Sequence, residues 1–334
     1  MHLQQSSSIV PIEQLLREPF IDILVYPSSS VEIARDRVKE IESIGVKGLV
    51  LEGNSIINGL HILGKGCTSI VVKAVLDKKS SVNSVSNDNN NNSSSNSSRS
   101  LEDVCDGMVV ALKIMRTDSD RASMEHEARM LAIANGVGIG PRLIAYSMNL
   151  LAMELIDGMH MIEFVKEFGG SSGNSDGNSG ISSKAKDREG NHNHYTNRGN
   201  CNNHAYVKYM LRDILEQCFL LDSIGLDHGE LGRMDRHVII GSKAYIIDFE
   251  SSSMNRRVTN VTSAANYILF GKGRALADML GLCRDKSRIV DALRMYRLDM
   301  CRDKFNQLLT LLGLKFYKES SACRCWKGPS STAC

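Results

Sequence analysis

The sequence lacks long apolar runs, a regular cysteine pattern and a strong excess of charge. No stretch of about 18 or more apolar residues occurs, which argues against a membrane span. The first ten residues lack the basic-then-apolar order of a secretory signal. The nine cysteines are scattered and odd in number, which is typical of reduced thiols rather than of a disulfide framework. We therefore expect a cytoplasmic protein with no membrane partner.

The balance of charge and composition gives little indication of a partner. A formal net charge of +2 gives no strong signal for nucleic-acid binding, and nothing indicates an oligomeric state.

Two tracts, at about 80–100 and 169–204, consist mostly of Ser, Asn, Gly and His. Such segments bury too little apolar surface to offset the entropy lost on ordering. We predict that both tracts are disordered inserts.

The remaining sequence changes its periodicity near the middle. Apolar residues at helical spacing predict a helix from Ser30 to Gly45, and residues 118–135 predict a second one. Runs rich in Val, Ile and Leu predict strands at 48–51, 57–63, 70–76, 108–115, 142–145 and 150–155. From residue 207 the pattern is helical, except for a hairpin that flanks Gly241-Ser242-Lys243. This order predicts an α+β protein with two lobes.

These patterns give four predicted regions along the 334 residues. Residues 1–58 are an N-terminal extension, residues 59–157 a strand-rich N-lobe, residues 158–318 a helical C-lobe, and residues 319–334 a flexible tail. Each of the two inserts interrupts one lobe. A chain of this length is large enough for two lobes with separate cores.

Two motifs in the first half point to phosphate binding. Gly64-Lys65-Gly66 follows an apolar strand, and glycines let a backbone close over phosphate oxygens. By itself such a motif between strands is more often a plain turn. Lys113 lies in the strand Val109–Ile114, where the alternative is an edge lysine that faces water.

Two acidic motifs follow in the second half. His228-Gly229-Glu230-Leu231 precedes the predicted hairpin, which ends in Asp248-Phe249-Glu250. This is the layout of a phosphoryl-transfer site, in which one acid lies beside the attacking hydroxyl and another holds the metal on the phosphates. A strand that ends in an acid by chance is the alternative for Asp248.

In the order of these motifs the chain resembles a divergent protein kinase. With no Ala-Pro-Glu segment, it is most similar to the compact atypical kinases: the RIO kinases, the small kinase of the KEOPS complex, and an archaeal family of predicted serine/threonine protein kinases. The last family shares the His-Gly-Glu-Leu loop and Ile-Asp-Phe-Glu. The resemblance covers about residues 30–312 without the inserts. It implies a bilobal fold, ATP and Mg²⁺ as cofactors, and a cytoplasmic setting.

The resemblance assigns the nucleotide-binding residues. Lys113 grips the α- and β-phosphates and pairs with a helix glutamate, for which we favour Glu127 over Glu125. The glycine loop has Ser69 in place of its third glycine. The complete set that faces the nucleotide is Gly64, Lys65, Gly66, Val71, Lys113, Glu127, Met153, Glu154 and Ile156. Within it the Glu154 carbonyl and the Ile156 N–H read the adenine edge, and Met153 abuts the pocket.

The resemblance also assigns the reaction. Glu230 stands where the family norm is Asp and orients or deprotonates the attacking hydroxyl, while Asp248 holds Mg²⁺. The second metal ligand is Asp235 by counting, or His237 if the loop is two residues longer. Carboxylate suits Mg²⁺ better than imidazole. The acceptor is a Ser or Thr of a protein substrate, with the chain itself as one candidate.

Two other functions remain open at this point. The first is an ATP-binding switch or slow ATPase, because the extra methylene of Glu230 moves its carboxylate by about 1.5 Å, and misplacement of about 1 Å can cost on the order of a hundredfold in rate. The second is a small-molecule kinase of the aminoglycoside or choline type. Those enzymes usually keep Asp in the loop and carry a larger helical lobe than this chain has.

Overall fold

The computed structural model describes residues 9–77, 107–170, 200–283 and 285–315. The protein is of the mixed α+β class, and its chain divides into two compact units. Unit 1 contains residues 1–158 and 245–256, and unit 2 contains residues 159–244 and 257–334. The predicted insert at 80–100, most of the one at 169–204, and the tail at 319–334 lie outside the described residues.

Unit 1 is built on an antiparallel sheet. Its strands are β1 Ile9–Pro11, β2 Val46–Val50, β3 Ser55–Ile57, β4 Leu60–Ile62, β5 Gly64–Lys65, β6 Ser69–Leu76, β7 Met108–Met115, β8 Leu143–Tyr146 and β9 Leu150–Glu154. Its helices are α1 Ile21–Val25, α2 Val31–Ser43 and α3 Glu125–Asn135. Seven strands form one sheet in the order β1-β2-β6-β7-β9-β8, with β5 paired to β6.

The N-terminal extension belongs to this unit, because β1 and β2 are strands of its sheet. The predicted start of α2 is confirmed, since the Ser30 hydroxyl accepts a hydrogen bond from the Ile33 N–H. Apolar residues of α1, α2 and the sheet, such as Leu24, Ile41 and Val72, are fully buried in one core.

The strand predicted at 57–63 is wrong. The structure has a hairpin there, in which β3 pairs with β4 through Ile57 and Leu60. Asn58 and Gly59 form the turn with φ of 46° and 85°. Asn-Gly is the strongest short hairpin signal, because both residues tolerate positive φ.

Helix α3 begins later than predicted, at Glu125 instead of Asp118. The segment before it is held by side chains: Arg116 bonds the Asp118 carboxylate, and the Ser119 hydroxyl accepts the Arg121 N–H. Short polar side chains favour such local bonds over helix. The predicted end at residue 135 is confirmed, and Gly136 is the residue that caps the helix.

The helical elements of unit 2 begin earlier than predicted. Unit 2 contains β10 Met159–His160, α4 Met161–Gly169, α5 Asn200–Ser223, α6 Met234–His237, β11 Val238–Ile240, α7 Asn260–Phe270, α8 Arg274–Met279, α9 Lys286–Leu298 and α10 Arg302–Leu311. Helix α4 was not predicted, and both ends of the predicted insert at 169–204 lie in helices. The apolar side chains of Met161, Phe164 and Val165 explain α4, since they bury one face.

The predicted hairpin after α6 is present, with β12 at Ala244–Ile246, and the boundary between the units passes through β12. Residues 245–256, predicted in the C-lobe, group with unit 1. Within this segment, Asp248 pairs with Lys113 and Glu250 pairs with Arg121.

In unit 2, α5 packs against α7, and α9 packs against α10. Phe219, Tyr296 and Phe305 form an aromatic cluster between α5, α9 and α10, in which the Phe219 and Phe305 rings stack with centroids 4.7 Å apart. Among the described helices of both units, none is long and apolar enough to cross a membrane.

Candidate functional site

Lys113 is the centre of a charged cluster in unit 1. Its Nζ lies 2.8 Å from Glu127 Oε1 and 2.8 Å from Asp248 Oδ1. The ion pair predicted with Glu127 is therefore present. Lys113 lies on β7 and Glu127 in the first turn of α3, and the two side chains are only 6% and 2% exposed.

The electrostatics of this cluster fix Lys113 in its charged form. Burial by itself lowers the pKa of the ammonium group, but the negative charges of Glu127 and Asp248 outweigh it, and the pKa is raised above its ordinary value. A buried charge that loses its partner is strongly destabilising. Lys113 is thus held in one position by two carboxylates from distant parts of the sequence.

Asp248 is held in an unusual backbone conformation. Its φ of 68° and ψ of 71° lie in the left-handed region, which few non-glycine residues adopt and which is concentrated at functional sites. Phe249 is buried next to it and reaches Gly140, where a Cβ would come within 3.0 Å of the Phe249 ring. The Asp248 side chain is 35% exposed, so solvent and ligands can reach it.

Glu250 extends the cluster through a single oxygen. Its Oε2 accepts the Thr68 hydroxyl at 2.7 Å and lies 3.0 Å from Arg121 Nη1 and 3.6 Å from Lys113 Nζ. Arg121 also bonds Glu127 at 3.1 Å. Unit 1 therefore brings two cationic and three acidic side chains together.

The carboxylates fit the donor chemistry of a divalent cation. Glu127, Asp248 and Glu250 each offer an oxygen, and the three oxygens lie within 4.8 Å of one another. Oxygen ligands of this kind are preferred by Mg²⁺. Of the three, Asp248 is the most exposed.

The glycine motif forms a hairpin at the edge of β6. Gly64 pairs with Val71 and Lys65 with Ile70, and the Gly66 N–H bonds the Ser69 carbonyl at 2.8 Å. Ser69 starts β6 and is buried. Lys65 and Gly66 are exposed at the tip.

The predicted adenine-reading residues lie at the end of β9. Met153 pairs with Ala111 and Glu154 with Val110. The Glu154 side chain bonds back to the Arg142 N–H, and its own N–H bonds the Arg142 carbonyl. Ile156 follows the strand and is partly buried. Their contact with adenine stays a prediction.

In unit 2 the acidic loop brings Glu230 next to His237. Glu230 Oε2 lies 3.4 Å from His237 Nε2, and Oε1 lies 3.8 Å from the exposed Arg233. His237 ends the short helix α6 and is buried, and its ring makes an edge contact with that of His228. The Glu230 N–H donates weakly to His228 Nδ1 at 3.4 Å.

Asp235 is directed to a different partner. Its carboxylate lies 2.7 Å from the ammonium group of Lys272, which is largely exposed. Of the two alternatives for the second metal ligand, His237 is the one that lies beside Glu230. Helix α6 explains the difference, because it places positions 235 and 237 on different sides of one turn.

The backbone of this loop is anchored by helix α7. The buried Asn260 side chain accepts the His228 N–H at 2.9 Å and donates to the Leu226 carbonyl at 2.7 Å and to Asp222 at 2.8 Å. Asp222 also accepts the Tyr296 hydroxyl at 2.8 Å. Burial raises the pKa of the Asp222 carboxyl, and the hydrogen bonds it accepts act against that shift.

Arg121, Thr68 and Asn260 were not identified from the sequence. Glu250 was noted only as the last residue of the Asp248-Phe249-Glu250 motif. Thr68 and Asn260 act through contacts 182 and 32 residues away, which a single sequence does not indicate.

Comparison with known proteins adds little on function. No family model matches the chain. An uncharacterized protein of Methanocaldococcus jannaschii is 35% identical over 65 residues, which is 20% of this chain and 55% of that protein. The chain thus matches about half the length of this relative.

Proposed function

We propose that the chain is an ATP-dependent atypical serine/threonine protein kinase with a bilobal kinase fold. The observation that carries the proposal is the buried Lys113, held by Glu127 and by Asp248. A strand lysine paired with a helix glutamate, with a metal-binding aspartate nearby, is the arrangement that phosphoryl transfer by kinases requires. The sequence likeness to RIO-type and archaeal predicted kinases supports the same function.

Each residue has one role in this proposal. Lys113 grips the nucleotide phosphates, and the Gly64–Gly66 hairpin covers them. Asp248 holds Mg²⁺, which neutralises charge on the phosphates when it is bound. In unit 2, Glu230 orients or accepts the proton of the Ser or Thr hydroxyl, and the second metal ligand is Asp235 or His237, of which His237 lies beside Glu230.

An ATP-binding switch or slow ATPase is the second candidate. Glu230 contacts His237 and Arg233. These contacts favour the switch, because they occupy the carboxylate that a kinase needs to orient the hydroxyl of the acceptor. A small-molecule kinase is the third candidate, and no contact among the described residues of unit 2 specifically favours it.

Nucleotide binding is the first test. We expect calorimetry with ATP and Mg²⁺ to show binding to the wild-type protein and a higher melting temperature by mass action. Lys113→Met and Asp248→Asn should each weaken binding at least tenfold, since a hydrogen bond to a charged group contributes about 1.5–3 kcal/mol.

Lys73→Met is the matched control. Lys73 is also a strand lysine in an ion pair, at 2.7 Å from Glu52, and its loss should leave nucleotide binding unchanged. The absence of any binding to the wild-type protein at millimolar nucleotide would contradict the kinase proposal and the switch proposal together.

A further inference from the structure

The carboxylate of Glu250 is bound in the manner of a small anion. One oxygen, Oε2, accepts the Thr68 hydroxyl at 2.7 Å, lies 3.0 Å from the Arg121 guanidinium and lies 3.6 Å from the Lys113 ammonium. A hydroxyl, a guanidinium and an ammonium group are the donors that also bind phosphate oxygens. Thr68 lies in the turn between β5 and β6, which is the predicted phosphate-binding hairpin.

Arg121 has hydrogen-bonding capacity left over. Its Nη1 bonds Glu127 at 3.1 Å and Glu250 at 3.0 Å. Its Nη2 is buried and has no hydrogen-bond partner among the described residues. A buried donor without a partner is costly, and an oxygen-rich anion next to the guanidinium would satisfy it.

We propose that Thr68, Arg121 and Lys113 form a phosphate subsite, and that the Glu250 carboxylate occupies it when no nucleotide is bound. A phosphate group of the nucleotide then displaces Glu250 and takes over its donors. Glu250 and the phosphate carry the same sign of charge, so they compete for these donors and repel each other. The inference rests on the proposed function and adds Thr68 and Arg121 to the nucleotide-binding residues.

The test is the affinity for inorganic tripolyphosphate and for ATP, measured by titration calorimetry without metal. Glu250→Gln keeps the size and the acceptor oxygen of the side chain but removes its charge. We expect this variant to bind both ligands at least tenfold more tightly than the wild type. Arg121→Met should bind both at least tenfold more weakly, although Lys113 keeps its pair with Glu127.

Glu52→Gln is the matched control, because Glu52 is an acid of the same unit that pairs with Lys73. The affinity of the Glu52→Gln variant for tripolyphosphate should equal that of the wild type. Circular dichroism should show that each variant is folded at the temperature of the titration. If Arg121→Met does not fold, the affinities of Glu250→Gln for tripolyphosphate and ATP test the proposed subsite by themselves.

The failure of this inference differs from the failure of the proposed function. If Glu250→Gln binds tripolyphosphate and ATP no more tightly than the wild type, while Lys113→Met loses ATP, Glu250 does not occupy a phosphate subsite. If the wild-type protein binds ATP neither with nor without Mg²⁺, and Glu250→Gln does not bind it either, both proposals are wrong.

Discussion

Lys113 and Glu230 are the two side chains on which the proposed phosphoryl transfer depends most. Lys113 was predicted from a strand of apolar residues, and its pair with Glu127 is present at 2.8 Å. Glu230 is one methylene longer than the aspartate at this place in the kinases that the chain resembles, and it contacts His237. Phosphoryl transfer depends mainly on position and charge, so a longer acid can serve where the loop is shaped for it.

Glu230 gives the sharpest prediction at this scale. Glu230→Gln removes the charge while it preserves size, so ATP affinity should stay within a few fold. The rate of γ-phosphate transfer should fall by roughly two orders of magnitude or more, the range expected for a positioned acid or base. Glu230→Asp should not exceed the wild-type rate. The transfer rates of both variants are measured in single-turnover reactions with ATP.

An unchanged rate in Glu230→Gln would remove Glu230 from the catalytic residues. If the wild type binds ATP but transfers no phosphate to any acceptor, the ATP-binding switch becomes the better account. Glu52→Gln serves as a comparison, because it removes an acid that pairs with Lys73 and has no part in the proposed site.

At the scale of elements, the sequence predicted the helices and strands in which the spacing of apolar residues is clear. Strand β7 was predicted with its observed bounds, and the ends of α2 and α3 follow from a Ser cap and from glycines. The hairpin at Asn58-Gly59 was missed although its signal was present in the sequence. The early start predicted for α3 was wrong because local polar contacts compete with the helix.

The contacts between elements could not be predicted in the same way. Thr68 meets Glu250 across 182 residues, and Asn260 meets His228 across 32. Neither pair has a spacing that helical or strand periodicity fixes. Each contact forms only when its own unit folds. The Thr68–Glu250 contact forms within unit 1, and the Asn260–His228 contact forms within unit 2.

Asn260 gives a prediction at the scale of elements. Asn260→Ala removes the acceptor of the His228 N–H and the donor to the Leu226 carbonyl, and leaves buried polar groups unpaired. We expect the free energy of unfolding to fall by about 2–4 kcal/mol, measured by urea denaturation. Asn266→Ala, at an exposed position of the same helix, should change it by less than about 0.5 kcal/mol.

At the scale of the whole molecule, the two polar tracts should be dispensable. Strands β6 and β7 pair up to Leu76 and Met108, and residues 81–99 lie in the sequence between these two paired ends. Loop-closure entropy changes slowly with length. We expect the deletion of 81–99, and the replacement of 171–199 by a short Gly/Ser linker, to leave ATP affinity within a few fold of the wild type. Loss of a cooperative thermal transition in either variant would show that the tract is structural.

The central claim is that this protein transfers the γ-phosphate of ATP to a protein hydroxyl. The most direct measurement is incorporation of radiolabel from γ-labelled ATP with Mg²⁺, with the protein alone and with generic Ser/Thr acceptors. The account predicts acid-stable label on Ser or Thr, at least a hundredfold less in Asp248→Asn, and wild-type levels in Lys73→Met. Label released only as inorganic phosphate, or equal incorporation by Asp248→Asn, would contradict it.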